Sequence, residues 1–239
     1  MDAQFYLAKG FRVVGVEASE DLCNYTQDFL GYFGAQLTIV NKALASRANE
    51  RVSFFTVPAK DDWGSLDRSK AEKGIETAIE VLVDTTDLLT LVAKHGVPYY
   101  IKCDLEGGDA VFLEQLKHIT PKPVFVSVEL NDGLEAGALA ESGYEAGQIV
   151  NQFLNPMTTP PDPPREGSYV VRHFTHECSG LFGLELPRDR WRPIGEIRSI
   201  YEAWRDLREQ DPTLAMGWLD LHACRWASLE ADSHQLKGR

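Results

Sequence analysis

Over the first two-thirds of the chain, compact apolar runs alternate with segments whose apolar residues recur every three or four positions. Residues 11–17 form a β-branched run ending in an acid, which predicts a strand. From Ser19, a residue suited to capping a helix, Leu22, Tyr25, Phe29, Leu30 and Phe33 fall at helical spacing until Gly34. Residues 37–40, 52–57 and 78–83 predict further strands. Thr86 is expected to cap a short helix bearing Leu88, Leu89, Leu91 and Val92, closed by His95 and Gly96. Residues 99–103 predict a strand that runs into Asp104-Leu105-Glu106-Gly107-Gly108. A helix at 109–117 follows, and 124–130 is apolar enough for a central strand. Strands spaced by helices of this length predict right-handed crossovers, hence an α/β fold with a mostly parallel sheet and helices on both faces.

Five of the twelve prolines crowd into residues 155–164, which excludes a helix or a central strand there. The expected organisation is therefore an α/β domain over 1–154. Residues 155–239 would be a linker and helical extension packed on that domain, with helices at 196–208 and 214–229. Charge narrows the partners. Asp and Glu outnumber Lys and Arg by 36 to 24, a net charge of −12, with no basic block to neutralise phosphates. A nucleic-acid interface and an anionic membrane surface are both disfavoured. No apolar run approaches the roughly 20 residues of a membrane span, and the first residues do not read as a signal peptide. The four cysteines are scattered, with no C-x-x-C, which suits reduced thiols and a cytoplasmic setting.

Candidate chemistry lies at strand ends. A carboxylate such as Glu17 offers two oxygens to the neighbouring hydroxyls of a ribose; it equally suits the positive end of the helix that follows. If the strand persists, Lys102, Asp104 and Glu106 share one side, with Gly107 and Gly108 allowing close backbone approach. Such a pair of acids orients a cation, binds a metal or accepts a proton, or else forms an ion pair and a helix cap. Glu129 ends the next strand and is a weaker candidate. Ser65 sits in a 60–65 segment that reads as a loop. His173, His176 and Cys178 have three zinc-capable side chains in six residues, with His222 or Asp220 as a conceivable fourth. Ordinary loop chemistry is the favoured reading, and no metal is expected.

Taken together, FYLAKGFRVVGVEAS, VNKALAS, YYIKCDLEGGDAVFLEQL and VFVSVEL resemble, in order and over residues 5–152, the FkbM family of S-adenosylmethionine-dependent methyltransferases. The resemblance implies a Rossmann-like class I methyltransferase sheet and methyl transfer to an oxygen of a small molecule or glycan. It implies S-adenosylmethionine held by Glu17 and Ala18, with Ser65 near the pocket and Asp104 and Glu106 beside cofactor and acceptor. Asp104 is the first choice for taking the acceptor's proton. The family opens with a strand and a D-x-G-x-N-x-G type loop, whereas this sequence starts at the helix that follows them. The first strand is thus expected to be missing between those carrying Glu17 and Asp104, and cofactor binding to be weak or nil. A truncated enzyme is the leading expectation, and a non-catalytic binding or assembly module is the alternative, with an oligomer open in either case.

Overall fold

The computed structural model describes residues 2–57, 60–72 and 77–230. In chain order it contains α1 (Asp2–Ala8), β1 (Val13–Glu17), α2 (Glu20–Leu30), β2 (Leu37–Asn41), β3 (Ala43–Leu44), β4 (Arg51–Val57), β5 (Lys60–Ser65), α3 (Arg68–Ala71), β6 (Ile79–Thr86) and α4 (Leu88–His95). There follow β7 (Tyr100–Cys103), α5 (Asp109–Leu116), β8 (Phe125–Glu129), α6 (Glu135–Glu141), β9 (Ala146–Asn151), β10 (Arg192–Pro193), α7 (Ile194–Gln210), β11 (Leu219–Cys224) and α8 (Trp226–Glu230). Two compact units result. The first combines the chain up to Phe11, Tyr99–Cys103 and the chain from Pro123 onward; the second combines Arg12–Pro98 with Asp104–Lys122. Among the described residues, no helix is long and apolar enough to cross a membrane.

The expectation of one mostly parallel Rossmann-like sheet is overturned. The strands form three sheets, β1-β2, β3-β6-β4-β5 and β10-β9-β11-β8-β7. Among the described residues, only β1–β2, β3–β6 and β7–β8 run parallel. The physical reasons are local. Two residues separate β4 from β5, far too few for the crossover a parallel pair requires, so they pair antiparallel. β4 then takes β6 on its other edge, also antiparallel. In the first unit β11 inserts between β8 and β9, antiparallel to both.

Three element predictions change accordingly. Residues 60–65 are strand β5, not a loop. The predicted helix over 214–229 is replaced by β11 and the short α8, because Leu219–Cys224 is buried throughout and alternates with period two. Asp87, not Thr86, caps α4: its side chain accepts from the Thr90 amide at 2.6 Å, while Thr86 is buried as the last residue of β6.

In the first unit, Phe5 of α1, Phe125 of β8, Phe174, Phe182 and Trp191 gather in one apolar cluster with Tyr6, Phe11, Tyr99 and Tyr100 around it. The proline-rich segment lies inside this unit. In the second unit the buried Gln115 of α5 ties that helix to the start of α4 and to the residue after β3: it accepts from the Leu88 amide at 2.7 Å and donates to the Ala45 carbonyl at 2.7 Å. A buried amide satisfied in this way costs little and fixes the relative placement of its neighbours.

Candidate functional site

Glu17 is the last residue of β1, and β2 runs parallel beside it with Asn41 at the matching position. Glu17 Oε1 accepts from the Ser19 amide at 2.7 Å, and Ser19 in turn caps α2 by accepting from the Leu22 amide. The Asn41 amide donates to the carbonyls of Glu17 and Ala18, each at 3.1 Å. Both residues are half-buried. Burial raises the Glu17 carboxyl above its ordinary range, and the Ser19 and Ala18 amides partly offset that rise.

The second loop is built around Glu106. Ser65, buried at the end of β5, donates from Oγ to the Glu106 carbonyl at 2.8 Å and accepts from the Asp67 amide at 3.1 Å. Glu106 has φ 45°, a left-handed backbone that a side chain disfavours, and Gly107 follows at φ 96°. A Cβ on Gly107 would lie 3.1 Å from the Lys70 stem, so both conformation and space call for glycine there. Asp104 is exposed and Glu106 half-buried. The structure thus brings Ser65 and Glu106 into contact, whereas Glu17 and Ala18 are fixed by a different set of partners. Glu129 ends β8 opposite Asp220 of β11. His173 and His176 are exposed, and His222 is buried in β11; among the described residues no group of three metal-ligating side chains is placed to hold an ion.

Two features of the first unit escape sequence reasoning. Register aligns Lys102, Ser127, His222 and Gln148 in one row across β7, β8, β11 and β9, and residues opposite one another share a face of the sheet. Ser127, His222 and Gln148 are all buried. Neither His222 ring nitrogen has a hydrogen-bond partner among the described residues, and burial, reinforced by the Lys102 charge, pushes its pKa down to about 3. Ser127 Oγ is instead 2.6 Å from the Tyr100 hydroxyl, so the row holds a neutral imidazole without an engaged nucleophile. The period-two alternation of LDLHAC groups His222 with Asp220, on the face opposite Leu219 and Leu221, so the local pattern would have sent it to solvent.

The other feature is a cleft of about 290 Å³ beside β9, walled by Leu154, Leu186, Ile200 and Trp204, with Arg190 at its rim. It contains none of Glu17, Ala18, Ser65, Asp104 and Glu106. No family model, curated protein or solved structure matches the chain.

Proposed function

We propose that the chain is an S-adenosylmethionine-dependent O-methyltransferase acting on a hydroxyl of a small molecule or glycan. The supporting observation is the β1 terminus, where a half-buried carboxylate at the carboxyl end of a parallel strand accepts from the Ser19 amide while Asn41 holds the Glu17 main-chain carbonyl. The Ser19 amide engages Oε1; in this reading Oε2 accepts from a ribose hydroxyl, and in that respect the residues fit the cofactor. S-adenosylmethionine supplies an electrophilic methyl group. Asp104 and Glu106 supply negative charge for a cationic ligand, and Asp104, the exposed one, accepts the proton of the acceptor hydroxyl. Ser65 acts as a positioning residue that holds the strained Glu106 backbone, the kind of outlier that gathers at functional loops.

Saturation-transfer NMR on the full chain with S-adenosylmethionine and S-adenosylhomocysteine tests this reading. Weak contact with the ribose of both is expected, at least tenfold weaker in Glu17→Gln, with an unchanged urea midpoint. A folded wild-type chain that contacts neither ligand, or a Glu17→Gln variant that binds as well, overturns it. The second reading, a non-catalytic binding module, is favoured by the cleft beside β9, which lies among none of these acids.

A further inference from the structure

The outer edge of β9 is half covered. Gln152 donates its amide to Trp218 at 3.0 Å, and the β9–β11 register advances in steps of two from that bond. Gln148 and Val150 therefore direct their backbone groups to β11, while Gly147, Ile149 and Asn151 direct theirs to the opposite edge. Among the described residues, β10 covers that edge at Ala146 and Gly147 alone. A continued β10 would next pair Arg190 with Ile149, but residues 188–190 coil into a 3₁₀ turn, with the Arg190 amide bonded to Pro187. The edge at Ile149 and Asn151 opens onto the cleft, which both residues line.

Chemistry around this edge selects an occupant. Leu154, Leu186, Ile200 and Trp204 form an apolar wall. An adjoining recess of about 560 Å³ presents Arg165, Arg188 and Arg190. Its acids are Asp189 and Glu185, and Glu185 is already neutralised by Lys9 at 2.6 Å. Arg188 and Arg190 are exposed, giving a cationic rim on a chain of net charge −12. Within the cleft, Gln148 is 2 % exposed and its Oε1 has no hydrogen-bond partner among the described residues.

We propose that this edge binds an extended peptide with alternating apolar and acidic side chains, added as a strand beside β9. Main-chain bonds to Ile149 and Asn151 give the ladder, and alternate side chains reach the apolar wall and the arginines. The site uses none of the acids invoked for methyl transfer, so it stands or falls separately from that reading.

Titration calorimetry of the full chain with acetyl-(Glu-Val)3-amide, its (Lys-Val)3 counterpart and an alternately N-methylated (Glu-Val)3 tests it. The acidic peptide should bind at least tenfold more tightly than the other two. It should also shift the Ile149 and Asn151 amide resonances. Arg188→Glu/Arg190→Glu should reverse the charge preference. Ile149→Pro, which removes only an outward amide, should abolish binding while circular dichroism stays unchanged. Should Ile149→Pro not fold, the N-methylated peptide still separates a strand ladder from charge alone. Equal binding of the acidic and basic peptides, or of the methylated and unmethylated ones, overturns the proposal, as does no binding or an edge already occupied by a second copy of the chain.

Discussion

Lys9 and Glu185 meet at 2.6 Å with both side chains fully shielded from water, and Lys9 also donates to the Ser168 carbonyl at 3.2 Å. Glu166 lies in the same region, bonded to the Tyr99 hydroxyl and to the Leu184 amide. Removing one partner of a buried pair leaves the other charge stranded, so Lys9→Met should cost about 3–5 kcal/mol. Lys9→Met/Glu185→Leu should recover most of that loss in urea denaturation. Nothing in the string YLAKGF marks Lys9 as buried, since its partner lies far along the chain and only packing unites them.

Two buried groups of the first unit pull the pH profile in opposite directions. Burial pushes the Glu166 carboxyl up to about 7 from 4.5, so the folded state holds a proton that the unfolded chain releases. That contribution is complete below pH 4.5 and is lost as pH rises to 7, at most about 3 kcal/mol. His222 acts oppositely: its pKa is pushed down to about 3 from 6.5, so its contribution is complete above pH 6.5 and fades as pH falls to 3. Between pH 4.5 and 6.5 the two slopes cancel. Denaturation midpoints should fall as pH drops below 4.5, and Glu166→Gln should remove the decline between pH 6.5 and 7 and tilt the profile upward between pH 4.5 and 6.5. A wild-type profile that rises steadily from pH 4.5 to 7 would contradict this assignment.

At the scale of elements, α7 lies against β9 so closely that a Cβ on Gly147 would fall 2.7 Å from Ile197 Cγ1 and 3.1 Å from Leu221 Cδ1. Both side chains are buried, with no room to retreat. Gly147→Ala should therefore destabilise by about 1–3 kcal/mol through overpacking, measured by thermal or urea unfolding. Most elements were legible in the pattern: β1, β2, β4, β7 and β8, the Ser19 cap and α5 lie close to where the apolar spacing puts them. β5 and β11 were not. The stretch holding β5 is polar and rich in turn formers, and becomes a strand because β4 needs a partner. β11 carries Asp220 and His222 at alternate positions, a pairing normally shed to solvent, yet the sheet encloses both. Of the candidate site, the acids at strand ends were legible from their position alone. The Ser65–Glu106 bond and the strained Glu106 backbone were not, because they join segments 41 residues apart.

For the molecule as a whole, the last strand among the described residues occupies the centre of the largest sheet. β8 and β9 both rely on β11 for their ladder bonds, so residues after the proline-rich segment are integral to the first unit. Central strands open only with the unit that contains them. The Leu221 and Ala223 amides should therefore be among the slowest to exchange with deuterium, and Arg192 at the β10 edge should exchange much faster. Equal protection at the two places would contradict this arrangement.

The sequence by itself determined the net acidity, the Ser19 cap, the proline break and the identity of most strands and helices, since each depends on neighbours within a few residues. Tertiary structure alone decided which strands pair, in which direction, and which polar groups are enclosed. Those outcomes depend on burial and backbone bonding between segments distant along the chain, and a local pattern of apolar spacing is the same whether a strand meets its partner parallel or antiparallel.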